Sequence, residues 1–155
     1  MGYTNADWAS DQSTHHLISG NAFLYSGGAV LWMPWQQSTI ASSSTHAKYI
    51  ATVEASNELV WLRCLLSELH EDASSSMPLY IDNRAVDLLA HNLVNHAAMK
   101  HIDVWYHFIQ DCIANRSINL KLIGTNNMAA DLLTKSLVWV KHDHFCWMLG
   151  MEIMN

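Results

Sequence analysis

Basic residues are scarce in this chain of 155 residues. Eight Lys and Arg stand against fourteen Asp and Glu, so the net charge is −6 with neutral histidines. A protein that binds nucleic acid by itself usually gains affinity from clustered Lys and Arg. Here the basic residues are scattered along the sequence, which argues against strong autonomous binding of nucleic acid.

Long apolar runs are also missing. No run approaches the roughly 20 residues that a membrane-spanning helix needs, and the opening MGYTNADWAS has neither the basic nor the apolar region of a secretory signal. We therefore expect an intracellular protein, cytoplasmic or nuclear, with no membrane partner. The length fits a single domain over residues 1–155, and 50% apolar with 14% charged residues is typical of a globular chain.

Cysteines are few, whereas tryptophans are abundant. The three cysteines, Cys64, Cys112 and Cys146, lie far apart in apolar stretches. This odd and dispersed set predicts buried free thiols in a reducing compartment. Of the seven tryptophans, we expect most to pack in the core, with Trp35 and Trp139 the more exposed.

The pattern of apolar residues predicts alternating strands and helices. The predicted strands cover residues 1–7, 17–25, 29–35, 79–81 and 118–122. The predicted helices cover about residues 45–70, 84–91, 102–114, 126–134 and 142–149. This order indicates an α/β domain with a mixed sheet.

Four stretches stand out by their residues and their order: GYTNADW at residues 2–8, SSSTHAKYIA at 42–51, LYIDN at 79–83 and ADLLTK at 130–135. Together with KHIDVWYHF at residues 100–108, they resemble the RNase H domain of a copia-type retrotransposon Pol polyprotein. The resemblance implies an RNase H-like fold, with a mixed five-stranded sheet flanked by helices. In that sheet the first three strands are antiparallel and two more are added. It also implies Mg²⁺-dependent hydrolysis of RNA in RNA–DNA hybrids.

In that family each of the four stretches supplies one acid to the metal site. The matching residues here are Asn5, Lys48, Asp82 and Asp131, so the resemblance implies two retained ligands, Asp82 and Asp131, and two substituted positions. Mg²⁺ prefers oxygen ligands, and two ions about 4 Å apart need several carboxylates. The four positions carry a formal charge of −1 instead of the −4 that four acids would give. We therefore expect binding of Mg²⁺ or Mn²⁺ to be weak or absent.

Single residues of this set allow alternatives. Asp82 could simply cap the following helix. Asp7 lies two residues after Asn5, hence on the same strand face, and is a candidate substitute for the lost acid. The Lys48 ammonium could lie where a metal ion would, paired with both aspartates. Glu54 is turned about 240° from Lys48 around the helix and is poorly placed to replace it.

Three further positions differ from the family. Where the family has basic residues that would help to hold phosphate, this chain has His15, His16 and Trp35. A zinc site at His142, His144 and Cys146, with His107, is disfavoured because alternate residues on a helix point about 200° apart. We expect exposed histidines and a core cysteine instead.

Three hypotheses follow for the function. In the first, the chain is a catalytically defective RNase H-like domain that binds RNA–DNA hybrid weakly. In the second, it is a non-catalytic interaction module on the same scaffold, with a protein partner such as a reverse-transcriptase domain. In the third, it is a decaying fragment without a role. The scarcity of basic residues and the surplus of Trp and Met favour a protein partner over nucleic acid.

Overall fold

A computed structural model describes residues 1–7, 17–37, 43–71, 75–91 and 103–151 of the chain. The substituted positions His15 and His16, and the first residues of the KHIDVWYHF stretch, lie outside these ranges.

Within these ranges, five strands form one sheet: β1 (Gly2–Asp7), β2 (Ile18–Tyr25), β3 (Gly28–Gln36), β4 (Met77–Ile81) and β5 (Ile118–Leu122). Their spatial order is β3-β2-β1-β4-β5. The first three strands pair antiparallel, β4 runs parallel to β1, and β5 runs parallel to β4. The predicted mixed sheet of five strands is therefore confirmed.

In the part of the chain that the structure describes, four α-helices flank the sheet: α1 (Ser44–Glu68), α2 (Arg84–His91), α3 (Asp103–Ala114) and α4 (Trp139–Met148). The helix expected at residues 126–134 is wrong. Two short 3₁₀ turns stand there, Thr125–Asn127 and Ala129–Leu133, and we call the second the Asp131 turn. Met128 separates them with a non-helical backbone (φ −85°, ψ 87°), and its side chain is fully buried. Burial of this side chain in the core accompanies the interruption of the helical path.

Two apolar clusters lie on opposite faces of the sheet. One contains Phe23, Tyr49 and Leu79 with residues of α2 and α3. The other contains Tyr3 and the residues that α4 and the Asp131 turn bury against it. Because α1 and the Asp131 turn both pack against β1, nearly all of its side chains are buried. A polar side chain on β1 is therefore removed from water and must find a partner inside the protein.

The last helix closes on the β2–β3 hairpin. The backbone N–H of Ala29 donates a hydrogen bond to the Leu149 carbonyl at 2.9 Å. Gly150 follows with φ +75°, and a Cβ at this position would collide with the Gly27 carbonyl. Glycine is thus required for the helix end to meet the hairpin.

Several side chains lie elsewhere than predicted. Of the six tryptophans that the structure describes, four are exposed, between 55% and 73%: Trp32, Trp61, Trp139 and Trp147. The expectation that most tryptophans pack in the core is therefore wrong. Trp139 is exposed as expected, whereas Trp35, also expected to be exposed, is half-buried. Cys112 and Cys146 are buried, whereas Cys64 is exposed. Within the described residues, no helix is long and apolar enough to cross a membrane.

Candidate active site

Asn5 and Asp131 form a buried hydrogen-bonded pair. Asn5 lies on β1 and is 3% exposed, and Asp131 lies in its 3₁₀ turn and is 1% exposed. The Asn5 Nδ2 donates to Asp131 Oδ1 at 2.5 Å, while the Asn5 Oδ1 accepts from the Ala6 N–H at 2.9 Å. The amide therefore presents its nitrogen, and not its oxygen, to the carboxylate.

The second oxygen of Asp131 is held by a lysine from the same segment. The Lys135 Nζ lies 2.8 Å from Asp131 Oδ2. Lys135 is four residues further along, and its side chain remains one-third exposed. Both oxygens of this buried carboxylate thus have a donor. A buried carboxylate is tolerated only with such compensation.

Lys48 and Asp82 form a second ion pair. The Lys48 Nζ lies 2.6 Å from Asp82 Oδ1, and the Asp82 side chain is only 4% exposed. Asp82 directly follows β4. It does not cap α2, because the Asn83 side chain accepts from the N–H groups of Ala85 and Val86. The carboxylate of Asp82 is thereby left to the ammonium of Lys48.

The fold brings these residues to one end of the sheet. In the parallel pairing of β1 with β4, Tyr3 lies opposite Tyr80, and the same offset continued by two residues aligns Asn5 with Asp82. On the other side Asn5 lies opposite Gly20. A Cβ at Gly20 would lie within 3.0 Å of the Asp131 turn and of Thr134. The absence of a side chain at Gly20 therefore lets Asp131 reach β1.

Helix α1 is fixed against the same strand. The Thr4 hydroxyl donates to the Ala51 carbonyl at 3.1 Å, and the Ser43 side chain accepts from the His46 N–H at the start of the helix. These contacts set the helix so that Lys48, in its second turn, reaches Asp82. Each of the four predicted site residues thus comes from a different element and is held by its neighbours.

The donor set does not fit a pair of divalent ions. Each of the two carboxylates already faces a lysine ammonium. Among the described residues, no group of three or more His, Cys, Asp or Glu is placed to hold a metal ion. A unit positive charge and a divalent ion 4 Å apart repel by roughly 8 kcal/mol at an effective dielectric of about 20. The arrangement can hold the four side chains in place, but it offers little to a metal ion.

Two other acids singled out in the sequence, Asp7 and Glu54, take part in neither ion pair. Asp7 is the last residue of β1, opposite Ile18, and is partly exposed. Glu54 is exposed on α1 and lines a separate cavity. Both positions agree with the sequence prediction: Asp7 is on the same strand as Asn5, two residues away, and Glu54 is turned away from Lys48 around α1.

The alternating histidines and cysteine of α4 divide between two sides of the helix. The His142 Nδ1 lies 3.6 Å from Cys146 Sγ, whereas the His144 ring stacks on Trp147. His107 is exposed on α3. Burial, helped by the nearby Asp143, raises the pKa of the Cys146 thiol, which disfavours the thiolate that a zinc ligand must supply.

Sequence reasoning gave no role to Lys135 or Gly20. The spacing of Lys135 from Asp131 is that of an ion pair within one helical turn, and this signal could have identified it. The sequence around Gly20 does not indicate that a side chain is excluded there, because this depends on which segment packs against β2.

Comparisons with known proteins place the chain among retrotransposon polyproteins. No family model matches it. Over 97% of its length the chain is 39% identical to the "Retrovirus-related Pol polyprotein from transposon TNT 1-94" of Nicotiana tabacum. It is 34% identical, over 96% of its length, to the polyprotein of transposon RE2 of Arabidopsis thaliana. The chain spans about a tenth of these relatives, 11% and 10% of their lengths.

A solved structure shows the same fold. The N-terminal RNase H domain of rv2228c from Mycobacterium tuberculosis, solved as a fusion protein, matches with a TM-score of 0.60. The match covers 94% of each chain at 12% identity, so it concerns the fold alone. The chain is therefore an RNase H-like domain related to the Pol polyproteins of copia-type plant retrotransposons.

Proposed function

We propose that residues 1–155 form one RNase H-like domain whose metal centre has been replaced by ion pairs. Hydrolysis of RNA in RNA–DNA hybrids, the activity implied by the family resemblance, is lost or strongly impaired. One observation carries this proposal: the Lys48 ammonium, at a position where the family resemblance implies an acid, lies 2.6 Å from Asp82 Oδ1.

The replacement keeps the structure while removing the chemistry. Carboxylates gathered at one end of a sheet repel one another unless positive charge lies between them. Lys48 and Lys135 supply that charge from within the chain. An ammonium group donates hydrogen bonds but is not a Lewis acid, so it cannot coordinate a water molecule and lower its pKa as a divalent ion does. The domain is thus stabilised without a centre that could activate water.

A cleavage assay tests the proposal directly. The folded chain is incubated with an end-labelled RNA–DNA hybrid, first with Mg²⁺ and then with Mn²⁺, beside the Asp82→Asn variant. We expect no cutting above background from either protein. Robust cutting by the unaltered chain that disappears in Asp82→Asn would contradict the loss of activity.

Restoring the two acids tests the assigned cause. Asn5→Asp combined with Lys48→Glu should allow divalent-ion binding in a calorimetric titration and restore some cleavage. The matched control is Asn119→Asp with Lys121→Glu, which changes the charge equally at two exposed positions of β5. If the folded double variant gains neither metal binding nor activity, the two substitutions are not the cause.

A second candidate function is a non-catalytic interaction module. A specific observation favours it: at least 70% of each of the large apolar residues Val138, Trp139, Val140 and Trp147 is exposed around α4. Clustered exposed apolar side chains often mark interaction sites. The partner in this case is a protein, such as a reverse-transcriptase domain, in place of an RNA–DNA hybrid.

A further inference from the structure

An apolar groove lies between the second half of α1 and the β2–β3 hairpin. It contains a cavity of about 490 Å³, and we call it the α1 groove. Two of its lining residues, Leu69 and Val30, are 62% and 51% exposed, so the groove is open to solvent. Sites that bind ligands or anchoring side chains commonly have volumes of roughly 300–1,000 Å³. The lining is apolar except for Tyr25 and Glu71, and it also includes Phe23, Leu62, Leu66 and Met77.

The rim of the α1 groove is acidic. The Tyr25 hydroxyl donates a hydrogen bond to Glu71 Oε2 at 2.7 Å, and this bond fixes the Glu71 carboxylate beside the cavity. Glu68 stands one residue before Leu69 and is exposed. Among the described residues, neither acid lies within ion-pair distance of a lysine or arginine. The groove therefore favours a partner that carries an apolar side chain next to a positive charge.

A surface of this kind stands at the start of α4. Val138, Trp139 and Val140 are consecutive, and each is at least 70% exposed. The Trp139 ring stacks on the His142 ring, with centroids 5.8 Å apart, so the indole is held in position while it remains exposed. Exposed tryptophans of this kind often anchor protein interfaces. With Lys141, which follows directly, these residues form what we call the Trp139 segment.

The Trp139 segment is positively charged. Lys141 has no ion-pair partner in the part of the chain that the structure describes. The first turn of α4 contains no acid, and its N-cap residue, Val138, offers no side-chain hydrogen bond. The first N–H groups of the helix therefore keep their partial positive charge. Asp143 follows in the next turn, where its carboxylate lies 3.7 Å from His142. The segment thus complements the α1 groove in both shape and charge.

The two surfaces cannot meet within one molecule. Phe23 of the α1 groove belongs to the apolar cluster on one face of the sheet, whereas α4 packs in the cluster on the other face. The end of α4 is tied to the hairpin by the hydrogen bond between Leu149 and Ala29. The Trp139 segment lies at the opposite end of this ten-residue helix, about 15 Å away. A contact between the two surfaces therefore joins different copies of the chain.

We propose that the chain binds a second copy of itself, with the Trp139 segment of one copy in the α1 groove of the next. The Trp139 indole enters the apolar cavity, and Lys141 pairs with Glu71. The contact joins two different surfaces, so further copies can add head to tail. It buries far less than the roughly 1,600 Å² of a standard interface, so the association is weak. The proposal stands whether or not the candidate active site hydrolyses RNA, so either can fail without the other.

Sedimentation velocity at increasing concentration tests the self-association. The unaltered chain should form dimers and then larger species. Trp139→Ala removes the anchor and Leu69→Arg places a positive charge at the groove, so each should weaken association by about tenfold or more. The matched controls are Trp147→Ala, at the other end of α4, and Leu88→Arg on α2. Both control positions are exposed and should leave association unchanged, and cooperative thermal unfolding verifies the fold of every variant.

Mixing the two defective variants supplies the decisive comparison. Leu69→Arg retains an intact Trp139 segment, and Trp139→Ala retains an intact α1 groove. Each variant alone should be monomeric at concentrations where the unaltered chain associates. Their equimolar mixture should form a one-to-one dimer and nothing larger, because only one productive contact is possible between them. A symmetric contact of α4 with α4, or of α1 with α1, gives no such rescue.

A charge exchange tests the ion pair across the contact. Lys141→Glu and Glu71→Lys should each weaken association, and the chain that carries both changes should recover part of it, because the pair is then restored with its signs reversed. Three results would overturn the proposal: a chain that stays monomeric up to about 1 mM, a mixture of the folded variants that remains monomeric, or a Trp147→Ala variant as defective as Trp139→Ala.

Discussion

The Lys48–Asp82 pair is uneven in its contact with water. The lysine side chain remains 22% exposed, while the aspartate side chain is 4% exposed. The lysine side chain therefore keeps part of its contact with water, whereas the carboxylate depends on its partner. Removal of the lysine would leave a buried charge without compensation, which is the more costly way to break such a pair.

A double-mutant cycle measures this dependence. Lys48→Met should lower the free energy of unfolding by about 2 kcal/mol, since Asp82 loses its partner. Asp82→Asn in the Lys48→Met background should cost less than in the unaltered chain, because the charge it removes is by then unpaired. Urea unfolding at neutral pH gives the four values.

The control for this cycle is Lys121→Met. Lys121 is an exposed lysine of β5, and its loss should change stability by no more than about 0.5 kcal/mol. Strictly additive effects of Lys48→Met and Asp82→Asn would show that the ion pair contributes nothing.

At this scale the sequence located the residues but not their partners. The motifs single out Asn5, Lys48, Asp82 and Asp131, and the structure places all four near one end of the sheet. One alternative paired Lys48 with both aspartates; in the structure it pairs with Asp82, and Lys135 holds Asp131. Which carboxylate a lysine contacts depends on how the helices and strands pack together, and no single motif encodes that packing.

The Asp131 turn depends on close packing against β2. At Gly20 an added Cβ would lie 2.8 Å from Leu133 Cβ and 3.0 Å from the Ala130 carbonyl. Neither atom can move independently of the turn. The position of Asp131, and with it the hydrogen bond to Asn5, is thus linked to the lack of a side chain one strand away.

Gly20→Ala should therefore destabilise the protein. We expect a loss of about 1–3 kcal/mol from overpacking, measured by thermal or urea unfolding. The matched control is Gly124→Ala, where an added Cβ would meet no atom within 4 Å. A Gly20→Ala variant as stable as this control would show that the turn is free to shift.

The sequence patterns predicted the bounds of the strands and helices better than they predicted which side chains are buried. Strands β1 to β5 and helices α1 to α3 lie close to their predicted bounds, because period-two and helical patterns reflect local backbone geometry. The tryptophans were placed poorly: Trp61 follows the helical period of α1 yet is 55% exposed. Periodicity shows that residues share a face, but the neighbouring elements decide whether that face is covered.

For the molecule as a whole, charge sets the expectation for nucleic-acid binding. With a net charge of −6, the domain should bind an RNA–DNA hybrid only weakly, with a dissociation constant above about 1 μM at physiological salt. A gel shift with hybrid and single-stranded probes at low and moderate salt measures this. Nanomolar, salt-sensitive binding would instead favour a nucleic-acid partner over the protein partner of the interaction-module hypothesis.

The hydrogen bond from Ala29 to the Leu149 carbonyl has a consequence for biosynthesis. The two residues are separated by about 120 positions, and a ribosome adds roughly 5–20 residues per second. The β2–β3 hairpin therefore leaves the ribosome on the order of ten seconds before the end of α4, which covers it, has been synthesised. During that interval its apolar face is open to chaperones and to other emerging chains.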